Sequence, residues 1–237
     1  MKISVIIPVL NEAATICKLL SHLTQTAAKK EIIQEIIIVD GGSDDESQKT
    51  VLDYAKSQNT TIKFITSERG RAKQMNAGAA NASNDILYFL HADSFPPEKY
   101  DDYISQEILK GNEAGCFRMK FDSNHWWLRF VSWLTKFESK RCRGGDQSQF
   151  ITQSLFKKIG GYDENYLVYE DNDLVDRLFA IDKFVIIPKY IITSARRYQE
   201  VGIWRLQYHF LNIHMRRWLG ASSEDLYQYY KKKVVSS

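Results

Sequence analysis

Four short apolar runs, rich in β-branched residues, fall within the first ninety residues, and this feature constrains the fold more than any other. They are Ile3-Ser4-Val5-Ile6-Ile7-Pro8, Glu35 to Asp40, Ile62 to Thr66 and Asp85 to Leu90. Such runs suit strands covered on both faces. Between them lie stretches with helical spacing. Ala14, Ile16, Leu19, Leu20 and Leu23 share one face behind Asn11 as a candidate cap, and Ser43-x-x-Glu46 has the form of a capping box opening a helix towards Ser57. Ala72 to Ala82 is a helix of small residues able to pack closely on a sheet, and Pro96-Pro97 marks a further helix start. Strand and helix in alternation predict βαβ units and an α/β fold with a mainly parallel sheet flanked by helices.

Past residue 112 the rhythm changes. Gly115 to Phe121 alternates like a half-exposed strand, and residues 125–137 form an aromatic-rich amphipathic stretch. Gln149-Phe150-Ile151 reads as a strand, Ser154 to Ile159 as a short helix ended by Gly160-Gly161, and Glu170 to Ile181 as another helix. Phe184 to Pro188 reads as a last strand, with helices over 203–219 and 223–233. No repeat, linker or second core interrupts the chain, so one domain over residues 1–237 is expected. At 44% hydrophobic and 26% charged, 237 residues can bury a substantial core without staples.

A formal charge of +3 makes no demand for nucleic acid as a partner. Residues 181–237 carry a local +6 and the remainder −3, a distribution that suits a solvated tail ahead of a phosphate or lipid contact. Cys17, Cys116 and Cys142 form no C-x-x-C pair, which argues against a disulfide framework or structural zinc. No run approaches the ~20 apolar residues of a membrane helix. A soluble, cytoplasmic protein is expected, with peripheral contact at an inner membrane as a second reading.

In open parallel sheets ligands bind beyond the carboxyl ends of the strands. That rule selects Pro8 to Glu12, Asp40 to Ser43, the loop at 67–71, and His91 to Asp93. Glu12 and Asp40 can accept hydrogen bonds from ribose or base groups. Arg69 and Arg71 can meet a phosphate, and Asp93 suits a hydrated Mg²⁺ or Mn²⁺. Taken singly, each also has a bland reading as a strand stop, turn or surface charge. G-x-G-x-x-G after the first strand, a P-loop and a G-x-S-x-G elbow are all missing from the sequence.

Val5 to Glu12, Ile38-Val39-Asp40-Gly41-Gly42-Ser43-Asp44-Asp45 and Leu90-His91-Ala92-Asp93 resemble the successive signatures of family-2 glycosyltransferases of the GT-A fold. The likeness continues through Gly70 to Gly78, Gly160 to Glu164 and Glu170-Asp171, and spans about residues 1–180. His-Ala-Asp, with Gly144-Gly145-Asp146-Gln147, is similar to a bacterial subgroup associated with arsenosugar biosynthesis. The resemblance implies a Rossmann-like GT-A sheet, with residues 1–112 holding the nucleotide, 113–200 the acceptor and catalytic groups, and 201–237 terminal helices. It implies inverting transfer from a nucleotide-diphosphate sugar, UDP-linked by expectation, to a hydroxyl of unknown acceptor. Pro8, Glu12, Asp40, Arg71, His91 and Ala92 would hold the nucleotide, Asp93 a divalent Mg or Mn, and Asp171 would be the base. His91 replaces the first aspartate of the family's Asp-x-Asp motif, which leaves metal identity open. Asp146, Glu170, Arg196 and Arg197 are weaker candidates for the acceptor or diphosphate. A nucleotidyltransferase and a non-catalytic sugar-nucleotide-binding protein stand as alternatives.

Trp126, Trp127, Leu128, Phe130, Val131, Trp133, Leu134 and Phe137 are too apolar for a surface helix. Core or a dimer contact is the first reading. A cover for a hydrophobic acceptor, or a membrane-surface contact aided by Lys136, Lys140, Arg141 and Arg143, is the second. His209 and His214 read as packing residues.

Overall fold

A computed structural model describes residues 1–29, 32–57, 61–139, 142–143 and 147–235. Strand β1 (Ile3–Val9) is followed by α1 (Ile16–Thr26), β2 (Ile33–Asp40), α2 (Ser47–Lys56) and β3 (Thr61–Thr66). Helix α3 (Arg71–Ala80) then returns the chain to β4 (Ile86–Phe89) on the other side of β1. β1 lies parallel to both neighbours, with Ile6 level with Ile37 of β2 and Phe89 of β4. Outward travel through α1 and α2 covers one face, and return through α3 covers the other. Ile3, Val5, Ile7, Val9, Ile36 and Ile38 therefore face Leu19, Leu23 and Val51, while Ile6, Ile37, Val39 and Phe89 face Ala72 and Met75. Two covered faces are the reason these strands carry apolar residues at successive positions.

The second half extends the same sheet. β5 (Ser94–Phe95), α4 (Tyr100–Leu109), β6 (Ala114–Phe121), α5 (Trp126–Leu134), β7 (Gln149–Thr152), α6 (Gln153–Lys158), α7 (Glu170–Ala180) and β8 (Val185–Thr193) complete the order β3-β2-β1-β4-β7-β6-β8-β5. β7 and β5 run against the other six. The carboxyl ends of those six strands and the first residue of β7 thus share one rim. α8 (Arg196–Val201), α9 (Ile203–Trp218), α10 (Ser223–Tyr230) and a π-helical segment (Lys231–Val235) pack behind it.

Several local expectations give way to tertiary contacts. Asn11 does not cap α1, which starts at Ile16. It adopts φ 58°, a left-handed conformation that asparagine tolerates, and its side chain accepts from the Asp44 N–H at 3.0 Å. The Ser43–Glu46 box does not form, because Ser43 Oγ is turned to Asp40 and α2 opens at Ser47 with Asp45 accepting its N–H. The helix after Pro96-Pro97 begins only at Tyr100, behind the left-handed Lys99. β6 is almost wholly buried rather than half-exposed, since both α5 and β8 pack on it. β8 passes Pro188 to Thr193: the register with β6 skips from Ile187 to Tyr190, and the bulge removes the need for a proline N–H. The helix expected over 223–233 stops being α-helical at Tyr230. The aromatic stretch is not core along its outer stripe, where Trp126, Phe130, Trp133 and Phe137 are exposed. Among the described residues, no helix is long and apolar enough to cross a membrane.

Candidate active site

Each group at the rim is positioned by a strand end or a helix start. Beyond β1 the chain turns through Asn11, whose N–H donates to Ser43 Oγ at 2.9 Å, while the Glu12 N–H donates to Ser47 Oγ at 2.9 Å. These bonds lock the first loop to the second. The Glu12 carboxylate accepts from Thr15 Oγ1 at 2.5 Å and pairs with Arg196 Nη2 at 3.2 Å. Asp40, at the end of β2, is buried and accepts from the backbone N–H groups of Gly42 and Ser43 at 3.1 Å. It therefore builds its own turn before it can serve any ligand. Between the two strand ends, the buried Gln74 of α3 donates to the Val9 and Val39 carbonyls, both at 2.8 Å. This amide satisfies the carbonyls where β1 and β2 splay apart.

At the end of β4, His91 and Ala92 are buried and Asp93 is partly open. His91 Nε2 lies 3.5 Å from Asp171 Oδ2. Asp93 sits close enough to Arg196 to act on it: burial opposes the guanidinium's charge, but Glu12, Asp93 and Glu200 outweigh it. Glu170 and Asp171 open α7, where the left-handed Tyr169 (φ 81°) turns both carboxylates inward to near-complete burial. Arg71, at the start of α3 and half exposed, reaches Glu170 Oε1 with Nη1 at 3.3 Å. Burial, and then the charge of Asp171, holds the Glu170 carboxyl above the usual carboxylate range, against the pull of Arg71 and His91.

Residues 71 and 170, 91 and 171, and 12 and 196 are thus joined in pairs along one rim. Pro8 is the penultimate residue of β1, just behind the rim, in register with Val39. Arg197 takes no part in these pairs, for its guanidinium lies 5.1 Å from the Tyr230 ring on α10. Asp146 lies outside the described residues, as do Gly144 and Gly145. Its neighbour Gln147 is buried, accepting from Arg143 Nη1 at 3.3 Å. His209 and His214 pack against Tyr229 and Tyr169, in keeping with the reading from sequence.

Sequence reasoning passed over the polar groups that hold Asp171. Gln149, first in β7, donates from Nε2 to the Asp171 carbonyl at 3.4 Å and accepts from the Tyr162 hydroxyl at 3.4 Å. Burial, then the carboxylates of Asp171 and Glu170, drives the Tyr162 phenol well above its usual range, so it stays a donor. A glutamine inside a buried strand was the available signal. Asn76 ties α3 to this region through the Tyr162 carbonyl (2.9 Å) and N–H (3.0 Å).

For a divalent cation the donor set is sparse. No group of three His, Cys, Asp or Glu residues able to hold a metal occurs among the described residues. A structural cage is therefore not present there. One partly open carboxylate, Asp93, with the Arg196 guanidinium near enough to serve phosphates, does fit Mg²⁺ or Mn²⁺, which bind through one or two carboxylates plus substrate phosphate oxygens.

The profile of the family described as Glycosyl transferase family 2 matches residues 4–160. The chain is 23% identical over 222 residues to the probable glycosyltransferase YdaM of Bacillus subtilis (strain 168), covering 86% of this chain and 52% of that protein. It spans only about half the length of that relative. Among solved structures, it is similar to the mannosyltransferase PcManGT from Pyrobaculum calidifontis in complex with GDP-Man and Mn²⁺ (TM-score 0.73, 16% identity, 97% of this chain and 69% of that one). It is also similar to S. aureus TarS 1-349 in complex with UDP-GlcNAc (TM-score 0.65, 16% identity, 82% and 58%). At such identities the likeness establishes the fold, a curled GT-A sheet flanked by helices.

Proposed function

Because the chain belongs to glycosyl transferase family 2, we propose that it transfers a sugar from a nucleotide-diphosphate donor to an acceptor hydroxyl, with inversion and with metal assistance. The observation that carries this reading is the set of three contacts gathered at the carboxyl rim of the sheet: the Glu12–Arg196 and Arg71–Glu170 pairs and the approach of His91 to Asp171. Glu12 and the Asp40 turn would receive the nucleoside, UDP by expectation, with Pro8 and Ala92 shaping the floor. Arg71 and Arg196 are each partly exposed and each paired with a carboxylate at the rim, so a diphosphate can reach both. Asp93 would hold the cation, which when bound disperses the negative charge that builds on the departing diphosphate. Asp171 Oδ2 would take the proton of the attacking hydroxyl. Gln149 fixes the Asp171 backbone, and His91 holds the carboxylate's orientation. Arg71 faces Glu170, whose carboxyl burial and the charge of Asp171 hold above the usual carboxylate range.

Thermal unfolding with UDP or GDP, with and without Mn²⁺, tests the donor site. At 100 times Kd, linkage contributes about 2.7 kcal/mol. For a chain of this size that raises Tm by about 5–10 °C. The expected result is such a rise for one nucleoside diphosphate, larger with metal and reversed by EDTA. No rise with either nucleotide in the presence of metal would overturn the proposal.

A further inference from the structure

All five tryptophans of the chain lie on α5 and α9, and four of them are exposed: Trp126 (62%), Trp133 (46%), Trp204 (56%) and Trp218 (83%). They belong to one continuous ridge. Along α5, Phe137 contacts Trp133, Trp133 stacks on Phe130, and Phe130 meets Trp127, with centroids 4.9–5.9 Å apart. Trp126 and Trp127 then meet Trp204, at 5.7 and 5.3 Å, which carries the ridge onto α9. There Tyr208, Leu211, Met215 and Trp218 follow at helical spacing, all exposed. The opposite faces of both helices are buried, through Leu128 and Ser132 on one and Leu206, His209 and Ile213 on the other.

Charge identifies the occupant. Neither helix contains an aspartate or glutamate; Arg129 and Arg205 are exposed on them, while Arg216 and Arg217 lie over the Tyr229 and Tyr166 rings. Just past α5, Lys136 Nζ lies over the Trp133 ring at 4.1 Å and near the Phe137 ring at 5.3 Å. A second copy of this face would set arginine against arginine. An anionic bilayer would instead meet the cations with its headgroups and receive the tryptophans at its interface, where indole rings partition well. We propose that the α5–α9 ridge docks the protein on the surface of an anionic membrane. α9 also touches the head of α7 through His214 and Tyr169, two residues before Asp171, so the docking helix adjoins that end of the rim.

Vesicle co-sedimentation with the intact chain tests this, comparing phosphatidylcholine alone with phosphatidylcholine containing about one quarter phosphatidylglycerol. Binding to the anionic vesicles with a blue-shifted tryptophan emission is expected, weakened at high salt. Arg129→Glu with Arg205→Glu should weaken it about tenfold, and Trp133→Ser with Trp218→Ser by at least as much. Circular dichroism verifies that both variants fold. The nucleotide-dependent rise in Tm should persist in both, which separates failure of docking from failure of the sugar-transfer reading. Three outcomes would overturn the proposal: no vesicle binding, equal binding to neutral vesicles that survives both pairs of substitutions, or a concentration-dependent dimer that the tryptophan substitutions abolish.

Discussion

Asp171 and Glu170 are adjacent in sequence and both buried, but their nearest partners differ. His91 stands against Asp171, whereas Arg71 stands against Glu170. If Asp171 is the base, Asp171→Asn keeps the shape of the rim and removes the proton acceptor. Turnover should then fall about 10²–10⁴-fold, while calorimetric nucleotide affinity changes little. Retained turnover would exclude the role. Glu170 gives a pH prediction. Its carboxyl is raised in the folded chain, so folded protein holds that proton at pH values where the unfolded chain has released it. Stability from this group is therefore present below the unfolded carboxylate range, near 4.5, and declines as pH rises towards the folded value. Glu170→Gln abolishes that decline, so urea midpoints of the variant should gain on those of the native chain as pH rises from 4 to 7. How far these residues were legible differs between them. Glu12, Asp40, His91 and Asp93 follow from the rule that strand ends carry the ligand. Pairs such as Arg71–Glu170, separated by 99 positions, follow from no local pattern. They came into view only through the family's motif order and through the fold.

Elements were more legible than the joints between them. Strands β1, β2 and β4 could be read because both faces are covered, and that leaves an unbroken apolar run. The close approach of α3 was legible too, from Ala72, Ala77, Gly78, Ala79 and Ala80. A Cβ at Gly78 would collide with Ile6 Cγ2 and press on Val39 Cγ2 at 3.1 Å. Gly78→Ala should therefore cost about 1–3 kcal/mol by overpacking, despite alanine's better helix propensity, as urea denaturation would measure. A stabilised variant would show that α3 can move off the sheet at little cost. The joints failed as sequence readings for one physical reason. Asn11, Ser43 and Glu46 each suited a helix cap, but Asn11 and Ser43 found partners on neighbouring loops or in the Asp40 turn. A cap is a local bond worth about 1 kcal/mol, and a tertiary partner readily displaces it. Short pieces such as β5, two residues paired with the end of β8, carry too little pattern to be seen in advance.

Across the whole molecule, the sheet itself decides whether the chain's two halves are separable. β4, from the first half, has β7 as its outer neighbour, in antiparallel register from Ile86–Thr152 to Phe89–Gln149. All four β4 residues are buried, and Tyr88 reaches across to Ser148 with its hydroxyl at 3.0 Å. Cutting the chain near residue 112 would expose that strand edge together with the apolar face of Phe150 and Phe117, which belong to the same core as Ile3 and Val5. We therefore expect cooperative unfolding of the entire chain, in line with the single domain expected from the sequence. The placement of the tryptophans makes this easy to check. Tryptophan fluorescence, excited selectively, reports only on α5 and α9, in the second half, while far-UV circular dichroism sums the helices and strands of both. In urea the two signals should give coincident midpoints and slopes. A fluorescence transition that precedes loss of ellipticity would mean that the terminal helices and α5 open first, with the β1–β4 unit surviving. In that case residues 1–112 expressed alone should also fold, whereas the shared core and the buried β4 edge predict that they aggregate.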